Sequence, residues 1–133
     1  MLDELNNKLL EEGYDTQLDY EGIYIPKYNI DIIIEDYSFI IRPSNSEPIV
    51  VNSVEEAVMC IKDFSYSIEF SEELDKNHYL YHQESPRFFS IGSDKVKIID
   101  GRFYLEDEEG ETNIFINIPS IIGAIQSKFF GEK

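Results

Sequence analysis

Two histidines and one cysteine are the side chains of this sequence best suited to metal binding or nucleophilic catalysis. His78 and His82 lie four residues apart, and on a helix this spacing would place both imidazoles on one face, as zinc sites use. A carboxylate ligand, Glu72 or Asp75, would then lie one turn away. The sequence has no other histidine, no second cysteine and no HExxH motif. We therefore expect no metal and no cofactor, and a zinc-dependent enzyme using His78 and His82 is the most distant functional hypothesis.

Other residues that could carry out chemistry give weaker signals. Cys60 falls in the apolar register of a helical segment, which predicts a small buried hydrophobe in a reducing compartment and not a nucleophile. The acidic run from Asp107 to Glu111 has oxygens that suit calcium but lacks the alternating ligands of an EF-hand loop. The sequence contains no glycine-rich phosphate loop, GxSxG or Walker motif. It therefore predicts a protein that is not an enzyme.

Negative charge is the most informative chemical property of the sequence. The 133 residues include 27 Asp and Glu against 11 Lys and Arg, a formal net charge of -16. Because 42% of residues are apolar and 14% aromatic, and these fall in periodic runs, the charge does not indicate disorder. A folded surface this acidic either keeps the protein soluble or binds a positively charged partner, and it repels nucleic acid itself.

The carboxylates are grouped along the chain. Ten lie between Asp3 and Asp36, a second group runs from Asp63 to Asp75, and a third fills residues 106–111. Tyrosines beside carboxylates add contact area with a hydrogen-bonding tip, which suits a protein interface. The predicted partner-binding residues are Asp15, Asp19, Glu21, Glu35, Asp36, Glu72, Glu73, Asp75, Glu106, Asp107, Glu108, Glu109, Glu111, Tyr20 and Tyr37. The basic residues Arg87, Lys95, Lys97 and Arg102 are grouped elsewhere, in the second half of the chain.

The first half of the sequence alternates helix and strand patterns. Leucines at helical spacing predict a helix over residues 2–12, which Gly13 ends. Apolar alternation predicts strands on either side of residues 21–22, a hairpin over residues 29–42 and a short strand over residues 49–51. Ser53 as N-cap, with Glu56 three residues on, forms a capping box and predicts a helix over residues 54–63.

The second half follows a similar order. A helix is predicted from Ser71 to a point before Pro86, and four strands follow at residues 88–91, 96–99, 103–105 and 114–118. Asp100-Gly101 is a two-residue hairpin signal, and Pro119-Ser120 begins a final helix.

These elements predict an α+β fold in a single globular domain, residues 1–133, with an antiparallel sheet of about six to eight strands and three to four helices packed on it. The order also fits two pseudo-repeats of helix, four strands and helix in halves 1–64 and 70–131, a duplication that few identities support. The predicted core comprises Leu5, Leu9, Ile32, Ile34, Phe39, Ile41, Val54, Val58, Ile61, Ile98, Phe103, Leu105, Phe115, Ile121 and Ile125.

The start of the sequence and its hydropathy predict the cellular location. Residues Met1–Leu5 lack the basic start and apolar region of a signal peptide, and no apolar run approaches the roughly 18 residues of a membrane span. We therefore expect a cytoplasmic protein with no membrane contact.

The charge pattern supports one function above others. A polyanionic surface can imitate the phosphate path of a nucleic acid, and so occupy the groove of an enzyme that binds it. We therefore expect a non-enzymatic acidic binding protein that inhibits a basic partner, a nuclease or another nucleic-acid-binding protein. Phage-encoded inhibitors of host defence and toxin-immunity proteins have this profile. The alternative is a small acidic secretion or assembly chaperone that acts as a homodimer, which the element order also fits.

Overall fold

The computed structural model describes residues 2–44 and 46–130 and has the predicted α+β class. Three helices accompany two antiparallel sheets of five strands each. The chain divides into two compact units, Met1–Phe64 and Ser65–Lys133. Helix α2 (Val54–Lys76) contributes residues 54–64 to the first unit and 65–76 to the second.

The first unit is a meander of short strands preceded and followed by helix. Its elements are α1 (Leu2–Glu11), β1 (Gln17–Leu18), β2 (Gly22–Ile25), β3 (Ile30–Glu35), β4 (Ser38–Pro43), β5 (Ile49–Val51) and the start of α2. Each strand pairs antiparallel with the next along the chain. Alternate strand residues are buried, with Ile32 and Ile41 directly opposite each other. The period-2 pattern of the sequence therefore sets which face of the sheet forms the core.

Local signals in the sequence explain the ends of these elements. Gly13 has φ +93°, and the Tyr14 N–H donates to the Leu9 carbonyl, so α1 ends in a Schellman motif. Gly22 is needed because a Cβ there would lie 2.3 Å from the Ile32 carbonyl oxygen. At the start of α2, the Ser53 Oγ accepts the Glu56 N–H at 3.1 Å, which confirms the N-cap.

The second unit has a similar order. The second part of α2 is followed by β6 (His82–Ser85), β7 (Phe88–Ile91), β8 (Asp94–Ile99), β9 (Arg102–Glu106), β10 (Thr112–Phe115) and α3 (Ile118–Phe130). The strands again pair in chain order, from β6 at one edge to β10 at the other. Its core includes Phe70, Phe89 and Phe103, whose rings pack with centroids 5.0–5.4 Å apart around Phe70. Aromatic packing therefore joins α2 to the centre of the sheet.

The two units share local features at equivalent places. At the end of α2 the Tyr79 N–H donates to the Leu74 carbonyl, the same bond that ends α1. His78, with φ +59°, takes the place that Gly13 has in the first unit. The β3–β4 and β8–β9 hairpins both have two-residue turns in which both residues have positive φ. Each unit thus contains a helix with a Schellman end followed by a five-strand meander.

Four features differ from the sequence-based predictions. The helix predicted to end at residue 63 continues to Lys76, because no Gly or Pro interrupts it and Phe64, Phe70 and Leu74 are all buried. The segment 82–85, predicted as helix, is β6 instead. An antiparallel sheet of about six to eight strands was expected, and the structure has ten strands in two antiparallel sheets of five. Three residues predicted in the core are only partly buried: Ile34, Val54 and Phe115.

A buried carboxylate anchors α3 in the second unit. The Asp94 side chain is 2% exposed, and its Oδ1 accepts a hydrogen bond from Lys128 Nζ at 2.7 Å. This hydrogen bond raises the pKa of Lys128 above its ordinary value. The Asp94 Oδ2 is buried and has no hydrogen-bond partner among the described residues. The pair therefore joins the last turn of α3 to the start of β8.

Candidate partner-binding surface

Two turns of the first sheet lie at the same end of that sheet. In an antiparallel meander the connections alternate between the two ends, so the β1–β2 turn and the β3–β4 turn are on the same side. The first turn carries Asp19, Tyr20 and Glu21, and the second carries Asp36 and Tyr37, directly after Glu35. Segments that are separate in sequence therefore bring six of the predicted partner-binding residues to one end of the sheet.

A third segment reaches the same end. Strand β5 runs antiparallel to β4, and the Ser38 hydroxyl donates to Asn52 Oδ1 at 2.8 Å just past the end of β5. Helix α2 begins two residues later and carries exposed Glu55 and Glu56 in its first turn. These two glutamates were not among the predicted residues. They add two carboxylates to the four that the turns supply.

We call this end of the sheet the acidic edge, defined by Asp19, Tyr20, Glu21, Glu35, Asp36, Tyr37, Glu55 and Glu56. All eight residues are exposed. Five strands about 4.8 Å apart span about 19 Å, so the six carboxylates provide one negative charge about every 3 Å. One strand of duplex DNA carries a charge about every 3.4 Å along its axis. The acidic edge therefore has a linear charge density close to that of a single nucleic-acid strand.

Asp19 has a structural role within the acidic edge as well as a charge. Its Oδ1 accepts hydrogen bonds from the N–H groups of Glu21 at 2.8 Å and Gly22 at 3.0 Å. These bonds fix the β1–β2 turn. The carboxylate of Asp19 therefore has a local structural role, whereas Glu21, Glu35 and Asp36 are exposed carboxylates of the two turns.

The two tyrosines of the acidic edge are among the most exposed apolar side chains of the described residues. Tyr20 is 94% exposed and Tyr37 is 87% exposed, so neither ring contributes to a core. Tyr37 has φ +64° in a two-residue turn with Asp36 at φ +52°, a turn type that favours glycine. The matching turn in the second unit has Asp100-Gly101. Tyr37 thus has a left-handed backbone conformation at a position where glycine would have a lower conformational energy.

We expect Tyr37→Gly to stabilise the fold by about 0.5–1 kcal/mol. A left-handed tyrosine costs about 1–2 kcal/mol, and the extra chain entropy of glycine offsets about half of that. Urea unfolding of both proteins measures the change. Tyr20→Gly is the matched control: it removes an equally exposed ring from the neighbouring turn, at a residue without positive φ, and should give no gain. A Tyr37→Gly protein less stable than wild type would show that the ring supports the fold.

The corresponding end of the second sheet has a different charge. There the β6–β7 turn contains Pro86 and Arg87, and the β8–β9 turn contains Asp100 and Gly101, followed by Arg102. Neither turn carries a tyrosine or more than one carboxylate. A five-strand meander of this kind therefore does not require an acidic end, and the charge of the acidic edge is a property of the first unit alone.

The other predicted partner-binding residues lie apart from the acidic edge. Asp15 is exposed in the connection before β1, at the opposite end of that strand. Glu72, Glu73 and Asp75 belong to the last turns of α2, where Glu73 lies 4.0 Å from Lys76 Nζ. Burial, and after it a hydrogen bond to Asp75, raises the pKa of the Tyr81 hydroxyl. Glu73 and Asp75 therefore interact with local partners in the second unit, and Glu72 is exposed beside them.

The acidic β9–β10 hairpin is shaped by its own carboxylate. Asp107 Oδ1 accepts the N–H groups of Glu109 and Glu111, both at 2.9 Å. Glu108, Glu109 and Glu111 are exposed at the tip of the hairpin. Glu106 is directly opposite Lys95 of β8, and its side chain lies on the solvent face of the sheet. The hairpin adjoins β10 and the α2 carboxylates precede β6, the opposite outer strand, so the sheet does not bring the two groups together.

The helical geometry required for the zinc hypothesis is absent. Helix α2 ends at Lys76. His78, two residues later, has a left-handed backbone conformation, and His82 is in β6. The two imidazoles therefore do not share a helix face. Across residues 2–44 and 46–130, no three His, Cys, Asp or Glu side chains are grouped to hold a metal ion. Cys60 is buried, as its apolar register predicts.

Searches against protein-family models, curated proteins and solved structures found no match to this chain. None of its described helices has the length and apolar character needed to cross a membrane. The assignment of a function therefore depends on the chemistry of the chain's own surfaces.

Proposed function

We propose that this chain is a non-enzymatic acidic binding protein that inhibits a basic nucleic-acid-handling enzyme. The acidic edge occupies the positively charged groove of that enzyme and takes the place of a nucleic-acid strand. Tyr20 and Tyr37 contact the surfaces on which bases would otherwise stack. The partner is a nuclease or another nucleic-acid-binding protein of the cytoplasm, where the single cysteine of the sequence, Cys60, remains a thiol. Inhibitors of host defence and toxin-immunity proteins act in this manner.

The observation that carries this proposal is the convergence of three separate segments on one end of the first sheet. Six exposed carboxylates there give an average charge per unit of sheet width similar to that of a nucleic-acid strand, and the same turns carry two exposed tyrosine rings. Charge that served only solubility would have no reason to be accompanied by exposed rings, one of them in an unfavourable backbone conformation. The contrast with the matching end of the second sheet supports the same view.

Capture of the partner tests the proposal. Immobilised protein is incubated with lysate of its host at low salt, and retained proteins are identified. We expect a basic nucleic-acid-binding protein that elutes with added duplex oligonucleotide or with high salt, since both compete with the acidic edge. A retained protein that is released by neither treatment would contradict the proposal.

Exposed apolar side chains favour a second candidate, the acidic chaperone. Val50 is 62% exposed and Ile114 is 57% exposed, each on an outer strand of its sheet, and Ile116 is 68% exposed. A chaperone would use such residues to hold a partner through apolar contacts that salt does not weaken. Capture that persists at high salt, and that fails on Val50→Asp or Ile114→Asp, would favour this candidate.

A further inference from the structure

The solvent face of the second sheet concentrates positive charge in a chain that is otherwise acidic. Lys95, Lys97 and Ile99 alternate along β8 and point away from the core, whereas Val96 and Ile98 point into it. Lys97 is directly opposite Tyr104 on β9, and Ile99 is opposite Arg102. On the other side Lys97 is opposite Phe88 of β7. We call this surface the basic face, defined by Phe88, Lys95, Lys97, Ile99, Arg102 and Tyr104.

Glu106 of β9 lies opposite Lys95, so the three cations of the basic face have this carboxylate beside them on the same sheet surface. Within the described part of the chain, no carboxylate oxygen lies within 4.0 Å of the charged groups of Lys95, Lys97 or Arg102. Lys97 Nζ instead lies 5.8 Å from the centroid of the Phe88 ring. By contrast, Lys8, Arg42 and Lys76 each have a carboxylate within 4.0 Å. The basic face thus retains positive charge that an outside anion can neutralise.

A groove of about 250 Å³ runs across the basic face. Its lining comprises Lys95, Lys97, Ile99, Tyr104, Glu106 and Thr112, from three neighbouring strands. The groove is open to solvent and combines two ammonium groups with an isoleucine, a tyrosine ring and a threonine hydroxyl. A surface of this kind suits an extended chain that presents charged and apolar side chains on one face better than a small enclosed ligand.

We propose that the basic face binds an extended acidic peptide segment of a partner protein. Lys95 and Lys97 are two residues apart on a strand, so their Cα atoms are about 6.7 Å apart. Carboxylates at alternate positions of an extended peptide have the same spacing. Such a peptide places two acidic side chains at Lys95 and Lys97, and the next side chain on the same face of the peptide, two residues further on, is apolar and lies against Ile99 and Tyr104. Charge complementarity and matching periodicity together specify the occupant.

Total charge favours a peptide over a nucleic acid or a second copy of the chain. Repulsion from a protein with a net charge of -16 grows with the charge of the incoming molecule. A peptide with two carboxylates experiences far less of it than a polynucleotide or another chain of -16. Glu106 also lines the groove, and its charge opposes a continuous row of phosphates more than it opposes two separate carboxylates. A short acidic segment therefore fits the basic face best.

This inference does not rest on the proposed function. The basic face belongs entirely to the second unit, and the acidic edge entirely to the first. A partner could use either surface without the other. If the peptide does not bind, the inhibitor proposal is unaffected. If the inhibitor proposal fails, the proposal that the basic face binds a peptide still stands.

Fluorescence anisotropy with defined probes tests the proposal on the full chain. The probes are a labelled peptide Gly-Glu-Ser-Glu-Ser-Ile-Gly, its analogue with Gln for Glu, and a short thymidine oligonucleotide. We expect saturable binding of the Glu peptide, and binding of the Gln peptide weaker by on the order of tenfold or more. Equal binding of the two peptides, or preferential binding of the oligonucleotide, would overturn the proposal.

Two double variants with the same change in net charge locate the site. Lys95→Glu with Lys97→Glu should abolish binding of the Glu peptide, because it reverses the groove cations. Lys8→Glu with Lys76→Glu alters two exposed lysines outside the basic face and should retain it. Lys97→Gln, a milder change, should weaken binding severalfold and protects the test against misfolding of the double variant. Equal losses in the two double variants would show that only net charge matters, and would contradict the proposal.

Discussion

Ile125→Asp is expected to unfold the protein at room temperature. Ile125 is 1% exposed in α3, within the core cluster of the second unit. An unpaired carboxylate in an apolar site costs several kcal/mol, which is a large part of the roughly 5–15 kcal/mol that stabilise a typical domain. Circular dichroism and urea unfolding measure the loss. Val58→Asp should have a comparable effect in the first unit, where Val58 is buried in α2.

Neighbouring residues on the same helices provide matched controls for these core variants. Gln126 follows Ile125 but is exposed, and Met59 follows Val58 and is 39% exposed. Gln126→Asp and Met59→Asp add the same carboxylate at the surface and should change stability by less than about 1 kcal/mol. If Ile125→Asp melted like Gln126→Asp, the buried side of α3 would be wrongly assigned.

Charge reversal in the acidic edge is expected to slow association with the captured partner by on the order of tenfold or more. Glu35→Lys with Asp36→Lys replaces two negative charges at the centre of the edge, next to Tyr37. Complementary charge steers the encounter of two proteins, so its loss changes the association rate more than the dissociation rate. Stopped-flow or surface-binding kinetics at low and at physiological salt measure both rates.

Two further reversals determine whether the effect is local. Glu108→Lys with Glu109→Lys makes the same change in net charge at the β9–β10 hairpin, in the second unit. Asp15→Lys with Asp19→Lys changes one residue of the acidic edge and one outside it. We expect the hairpin variant to associate like wild type and the mixed variant to fall between the two. Equal slowing by all three would indicate general charge attraction and no defined site.

Sequence patterns specified most of the secondary structure of this chain but not the number of sheets. Turn and cap residues such as Gly13, Ser53 and Asp100-Gly101 act locally, so the elements that they delimit could be predicted. The continuation of α2 through residues 64–76 depends on the burial of Phe64 in the first unit and of Phe70 and Leu74 in the second, which is a tertiary effect. Strand β6 was missed for a similar reason, since its four exposed residues have little β character.

The candidate surface was predictable in its residues but not in its grouping. Composition identified Asp19, Glu21, Glu35 and Asp36 as acidic and Tyr20 and Tyr37 as their neighbours. Their convergence on one end depends on the strand order, which also brings Glu55 and Glu56 there. The alternation of Lys95, Lys97 and Ile99 was a sequence signal for the basic face. The sequence alone could not show that β9 pairs with β8 and places Tyr104 and Arg102 beside these residues.

Competition between nucleic acid and this protein for the captured partner tests the central claim most directly. The affinity of the purified partner for the wild-type chain is measured at rising concentrations of a duplex oligonucleotide that the partner binds. If the acidic edge occupies the nucleic-acid groove, the apparent Kd will rise in proportion to the oligonucleotide concentration, and no ternary complex will form. An apparent Kd that does not change, with all three molecules bound together, would contradict the account.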